Sequence, residues 1–360
     1  MTTLEQLRSE ARRATLFAPT TLAEAVHRLG FVQADPIRAP ARAQDLILRH
    51  RVSRYRAGDL ERRFPRLKLE EDFLHAHGFM PRETWGLLHP RSDPSRAGQA
   101  FVPTGLAAEV WAFVRCHGLT HPGDLEAQFG RDLTTNAWGG NSKATTQVLE
   151  TLRHHGLLRV AGRRKGIRIY TAASPVPTTL KPAERARRLI LLVARSLAPV
   201  SAPSLRGALA LMARHNPDLG PLAPAMHALV RQGKLEHAEV DGERYLWPTP
   251  QARASHGEAQ RDVRLLAPFD PLVWDRRRFK HLWGWSYRFE AYTPPARRKL
   301  GYYALPLLWG DTVIGWANVS TVSGISAEFG FAGPRPQGRP FDRALEAEMA
   351  RLQRFLDPAS

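Results

Sequence analysis

Two segments of this 360-residue chain end a helical stretch on a glycine and follow it at once with a pair of short β-forming runs. In the first, Val148, Leu149 and Leu152 share one face of a helix expected over 142–155. Gly156 closes that helix at the C-cap position, and 157–160 and 167–170 flank Gly162-Arg163-Arg164-Lys165-Gly166. In the second, a helix over about 223–232 stops at Gly233, and 235–240 and 244–247 flank Asp241-Gly242, a strong two-residue hairpin turn. Two further helices precede each: an apolar stripe of Leu106, Val110, Phe113 and Val114 followed by 122–129, then 183–197 followed by 202–213. Helix, helix, helix, hairpin is the order of a winged helix-turn-helix, and its recurrence predicts an internal repeat.

The flanks complete an α+β expectation: tandem winged helix-turn-helix units, a small C-terminal β domain and a terminal helix. Residues 4–17, 22–29 and 41–52 read as helices and 67–80 as extended, with a polar, proline-containing stretch at 91–98 ending the first unit. From 263 onward aromatics and β-formers crowd together, among them Trp274, Trp283, Trp285, Tyr287, Phe289 and Tyr303. A β domain is expected over 263–335, with Gly310-Asp311 turning one hairpin, then a helix over 342–355. The units expected are 1–98, 99–175, 176–255 and 256–360, the first carrying the motif described next.

Charge points to the partner. Lys plus Arg number 52 against 34 Asp plus Glu, a formal net charge of +18. Codon bias explains arginine in place of lysine but not that excess, so a nucleic acid is expected. Arg163, Arg164, Lys165 and Arg168 on the first hairpin, with Lys143 and Arg153 on the helix before it, are expected at phosphates; an ordinary solvated charge run is the bland alternative. Within this basic chain, Gln33-Ala34-Asp35 sets an amide and a carboxylate two positions apart, on one side of an extended backbone. Asp35 precedes Pro36, so it also suits plain turn initiation. Arg38, Arg42 and Arg49 follow, Arg38 and Arg42 expected at DNA. Arg42 and Arg49, seven apart, are expected on one helix face where they could bracket a phosphate near Asp35, with ordinary surface cations the alternative, at least as good for Arg49.

Other chemistries have no signature. His75 with His77, His154 with His155, and Cys116 with His117 lack paired zinc-ligand spacing. There is no GxxxxGK phosphate loop and no suggestion of a Ser-His-Asp set. The single Cys116 permits no intrachain disulfide, the N-terminus lacks a signal-like apolar run, and the apolar segment around 190–193 is too short to span a bilayer. A cytoplasmic, nucleoid-associated monomer without membrane contact is expected.

Three segments carry a family resemblance: Val32-Gln33-Ala34-Asp35-Pro36-Ile37 with the stretch 41–48; His75-Ala76-His77-Gly78-Phe79-Met80-Pro81; and a long run from Leu265 through Pro268-Phe269-Asp270-Pro271-Leu272-Val273-Trp274-Asp275 to Gly301-Tyr302-Tyr303 and Leu308. Over about 20–355 the chain resembles the bacterial crosslink-repair DNA glycosylases, the AlkZ/YcaQ-like family. The resemblance implies tandem winged helices, double-stranded and damaged DNA in a concave face, and hydrolysis of the N-glycosidic bond of N7-alkylated purines, including those in interstrand crosslinks. It implies catalysis by Gln33 and Asp35, the Gln-x-Asp form of the family motif, with His75 as a candidate for active-site support and neither cofactor nor metal. Ala34 replaces a bulkier apolar residue, and the chain is shorter around the third winged helix than its relatives. The absence of a lysine in the motif implies a monofunctional enzyme. Charge and helix order suit a non-catalytic transcription regulator equally well, and a protein-interaction scaffold is a third alternative.

Overall fold

The computed structural model describes residues 2–93, 99–135, 140–174, 179–249 and 261–357. Helices and antiparallel sheets are interspersed along the chain, an α+β architecture. Near the N-terminus, Thr3 and Gln6 form a capping box for the helix Leu4–Thr15, which buries Leu7 and Ala11. The helix Leu22–Leu29 ends on a left-handed Gly30, and the chain enters the two-residue strand Val32–Gln33. That strand pairs with His77–Pro81, which also pairs with Leu69–Phe73, so the expected extended stretch is the hairpin of a three-stranded sheet.

The order helix, helix, helix, hairpin is observed twice. Leu106–His117, Pro122–Phe129 and Ala144–His154 precede the hairpin Leu158–Arg164/Ile167–Ala172. Pro182–Ser196, Ala202–His215 and Leu222–Arg231 precede the hairpin Leu235–Val240/Glu243–Pro248. A four-stranded sheet follows in the order Val263–Leu265, Leu305–Trp309, Thr312–Ser320, Ser326–Phe331, and the helix Arg339–Leu356 packs beside it. The three boundaries expected at 98/99, 175/176 and 255/256 fall on or beside residues outside those described.

Several expectations change. The helix expected over 41–52 is only Ala43–Leu48, with Arg42 as its N-cap and Arg49 as its C-cap, so those two arginines share no helix face. The region 263–335 is not all β. Asp270 accepts from the Leu272 amide (3.0 Å) and Asp275 from those of Arg277 and Arg278 (both 3.1 Å), and these caps start the helices Pro271–Trp274 and Arg276–Trp283. The aromatic crowding that suggested strands is partly the buried face of these helices, where Phe279 packs edge-on against Trp283 and Trp285. Helices Asp59–Arg63 and Arg82–Leu88 were not expected.

The expected units share cores. One apolar cluster joins Val26, Leu46 and Phe79 to Leu149 and Val160 and to Val263, Leu305 and Leu352. A buried clasp reinforces the union. The Arg51 guanidinium, fully buried, donates to both oxygens of Asp270 (2.8 and 2.9 Å) and to the carbonyls of Thr15 and Ile47 (both 2.6 Å). Arg278 donates to the carbonyls of Pro199, Pro271 and Leu272 (2.8, 2.6 and 3.0 Å). Asp275 accepts from the Ser201 amide and the Ser204 hydroxyl (both 2.7 Å). The segment 270–278 is thus held to both the N-terminal helices and the second helical bundle, 182–231.

Removing one partner from a buried, hydrogen-bonded pair leaves a charge stranded. Asp270→Ala is therefore expected to lower the unfolding free energy by about 3–5 kcal/mol. In the same urea titration, Ala at exposed Glu346 should stay within about 0.5 kcal/mol of the unsubstituted chain.

Candidate active site

A close backbone approach fixes the register of the motif. A Cβ on Gly78 would stand 2.3 Å from the Val32 carbonyl oxygen and 2.6 Å from the Phe31 ring, so only glycine lets Val32–Gln33 lie on His77–Pro81. Gln33 then sits opposite Gly78, and the Ala34 amide extends the pairing by donating to the His77 carbonyl (2.9 Å). Beyond this the chain turns. Asp35 Oδ1 accepts from the Ile37 amide (2.9 Å), and the Asp35 amide donates to the side-chain oxygen of buried Gln44 (3.2 Å). Turn initiation by Asp35 is therefore real, but it occupies one carboxylate oxygen. Among the described residues, Oδ2 has no hydrogen-bond partner and no cation lies within ion-pair distance of Asp35. The side chain is half-buried; burial raises its pKa, and the Ile37 N–H opposes the rise.

The C-terminal part of the chain reaches into this corner. Trp274 Nε1 donates to Gln33 Oε1 at 3.1 Å. His75 is buried, 4.9 Å from the Phe31 ring and edge-on to Trp274 at 5.1 Å. Burial lowers its pKa to about 4, so the imidazole is neutral near pH 7, and its Nδ1 has no hydrogen-bond partner. Gln33, His75 and Trp274, with Phe31 and Phe269, line a cavity of about 10 Å³, room for about one water. Tyr303 is also buried, edge-on to Phe289 at 5.4 Å, and its hydroxyl has no partner. Burial raises the Tyr303 pKa, and the Asp35 charge raises it further, so a protonated phenol stands within the field of the carboxylate.

Trp274 and Tyr303 were missed as site residues, although both lie in the segments that carry the resemblance. Trp274 is 241 positions from Gln33, and no short-range pattern marks such a pairing.

The cations expected at DNA divide. Arg38, Arg164 and Lys165 are exposed and, among the described residues, have no carboxylate partner. Five others are held in ion pairs: Arg42 with Glu61, Lys143 with Glu126, Arg153 with Asp72 (3.0 Å) and Glu150 (2.8 Å), Arg163 with Glu71 (2.7 Å), and Arg168 with Glu71 (2.8 Å) and Glu150 (3.1 Å). Arg49, expected near a phosphate, is buried against Glu348 of the terminal helix.

For Arg153, Arg163 and Arg168 the cause is the strand Leu69–Phe73, whose Glu70, Glu71 and Asp72 are all buried. Buried carboxylates need counter-charges, and the neighbouring hairpin supplies them. Burial alone would raise the Glu71 and Asp72 pKa values, but the surrounding arginines, with His77 for Glu71 and His89 for Asp72, overcome this and hold both carboxyls below their ordinary values.

A cleft of about 730 Å³ lies between the motif's downstream loop and this hairpin, lined by Arg38, Arg42, Arg62, Arg163 and Glu61 among others. The Arg42 pKa is lowered, first by burial and then by the charges of Arg38 and Arg163, the mark of cations crowded around one space. Asp35 does not line this cleft, but Arg38, three residues on, does. Among the described residues, no cluster of His, Cys, Asp and Glu suits a metal ion and no helix is long and apolar enough to cross a membrane.

Residues 26–355 match the model of the AlkZ-like DNA glycosylase family, and the chain belongs to that family. It is thus a member of a family of DNA repair glycosylases, hydrolases that act on DNA.

The two classes of cation separate in stability. Joint replacement of Arg163 and Arg168 by Ala strands the buried Glu71 charge and should cost about 3–5 kcal/mol in chemical denaturation. Alanine at Arg164 or Lys165 should change stability by about 0.5 kcal/mol or less.

Proposed function

We propose that this member of the AlkZ-like DNA glycosylases hydrolyses the N-glycosidic bond of N7-alkylated purines in double-stranded DNA, interstrand crosslinks included, with Asp35 and Gln33 as its catalytic pair. The observation that carries this is the Asp35 carboxylate: half-buried, with no cation paired to it, and with one oxygen uncommitted in an otherwise basic chain.

The chemistry follows from the substrate's charge. An N7-alkylguanine is cationic, so when the C1′–N9 bond breaks its electron pair neutralises the departing base and no general acid is needed. Positive charge passes to the sugar as an oxocarbenium ion. The Asp35 carboxylate stabilises that cation through space and takes a proton from the attacking water, whose oxygen bonds to C1′. Paired carboxylates in glycoside hydrolysis follow the same logic. Gln33 orients the water or the sugar. No lysine stands in the motif to form a covalent imine, which supports a monofunctional enzyme. Neutral, buried His75 fits support of the pocket wall rather than proton transfer near pH 7.

The repeated helix-helix-helix-hairpin order supports tandem winged helices over 99–175 and 176–255, between the motif-bearing unit 1–98 and the C-terminal unit 256–360. Of the cations expected at DNA, Arg38, Arg164 and Lys165 are free among the described residues for backbone phosphates, and the cleft beside Arg38 continues towards the hairpin. A monomer acting at the nucleoid in the cytoplasm fits this picture. The turn made by Asp35 Oδ1 favours one rival, a DNA-binding protein without catalysis, in which Asp35 would be only structural.

Excision of N7-methylguanine from a duplex, read as alkali-cleaved abasic sites, decides between them. Asp35→Asn should reduce the rate by about 10²–10⁴-fold while DNA affinity holds or rises slightly. Undiminished excision removes Asp35 from the mechanism, and no excision by the unsubstituted chain on methylated or crosslinked duplex refutes the assignment. Joint replacement of Arg164 and Lys165 by Ala should flatten the dependence of log affinity on log salt by about two.

A further inference from the structure

We propose that Trp274 is a positioning residue that locks the direction of the Gln33 amide, so that Gln33 meets the reacting sugar or water only as a hydrogen-bond donor. This rests on the glycosylase reading above and goes beyond it by assigning a polarity to Gln33 and a task to a residue of the C-terminal part of the chain.

A glutamine side chain offers an oxygen that accepts and an NH₂ that donates, and it can turn either towards a reactant. An indole N–H can only donate. Trp274 Nε1 lies 3.1 Å from the Gln33 side-chain oxygen, so the oxygen is committed to the indole. Turning the amide over would set two donors against each other and leave the indole N–H unpaired. The Gln33 NH₂ makes no hydrogen bond among the described residues and is left for a ligand. The His75 Nδ1 in the same cavity does not take it, since that nitrogen is itself without a partner.

Trp274 is firmly placed for the task. Its backbone amide donates to the Asp270 carbonyl (2.8 Å), in the turn clamped by Arg51. Its ring stands edge-on against His75. The site therefore has a defined division: Gln33 donates and Asp35 accepts. A water held by both would receive a hydrogen bond from Gln33 and give one to Asp35, which turns its remaining lone pair towards C1′.

A double-substitution cycle with a spectroscopic arm tests this. On N7-methylguanine duplex, Trp274→Phe should lower kcat by about tenfold to 10²-fold with KM nearly unchanged, as expected for loss of an oriented donor. Added to Gln33→Ala it should cause no further loss, because its effect passes through Gln33; additive losses overturn the proposal. Gln33→Glu keeps the acceptor for the indole but has no NH₂, and it should be as impaired as Gln33→Ala. An active Gln33→Glu also overturns the proposal.

The second arm needs no activity and no Trp274 variant. With the Trp274 indole N–H resonance assigned among the nine tryptophans of the unsubstituted chain, Gln33→Ala should move it upfield, whereas Gln33→Glu should not. An unmoved resonance in Gln33→Ala removes the hydrogen bond and with it the proposal. An inactive unsubstituted chain would refute the glycosylase reading alone, because the resonance reports the hydrogen bond regardless.

Discussion

The bidentate pair between Arg51 and Asp270 holds the molecule's two ends to one site. Both side chains are wholly buried, and the guanidinium also satisfies the carbonyls of Thr15 and Ile47. A buried pair of this kind adds little net stability over a well-packed apolar substitute, but it is intolerant of displacement, because a shift of either partner strands a charge. Its consequence is positional. Asp270 also caps the short helix that ends in Trp274, so the clamp from the N-terminal helices sets where the indole meets Gln33. Two parts of the chain, neither of which holds the whole candidate site, are thereby joined at Gln33.

A second electrostatic arrangement shapes how a basic chain meets DNA. Glu70, Glu71 and Asp72 on one buried strand draw Arg82, Arg159, Arg163, Arg168, Arg91 and Arg153 inward. Three of them, Arg159, Arg163 and Arg168, dock the hairpin Leu158–Arg164/Ile167–Ala172 to the N-terminal sheet. Of the eight cations expected at DNA, three, Arg38, Arg164 and Lys165, are exposed without a carboxylate partner among the described residues. Asp35 is not neutralised in this way: among the described residues no cation lies within ion-pair distance of it.

Local signals carried much of the fold. Apolar periodicity and the terminal glycines marked both helical bundles, and Gly156 and Gly233 do adopt positive φ (77° and 67°). The Asp241-Gly242 turn closes the expected hairpin. Gln33 and Asp35 stood out as an acid–amide pair in a basic chain, and the family resemblance gave them a role. What the sequence hid was tertiary. A Glu-Glu-Asp triplet looks like a solvated face until the strand is known to be covered on both sides. Arg163 and Arg168 looked like phosphate ligands for the same reason. The helix expected over 41–52 starts only after Arg42, whose backbone is extended (φ −66°, ψ 152°), and residues 49–51 close it as turns. Trp274 and Tyr303 reach the motif only through the folded arrangement of the last hundred residues.

The central claim is that the anion at Asp35 drives hydrolysis, and titrating that anion tests it most directly. Asp35 has a raised pKa through burial, so its ionised, active form should be lost on acidification at a higher pH than an ordinary aspartate. Single-turnover excision of N7-methylguanine should fall on acidification with the same midpoint as the Asp35 carboxyl carbon followed by ¹³C resonance in the free protein. A rate that stays flat while Asp35 takes up its proton, or that falls at a pH unrelated to that titration, would contradict the account.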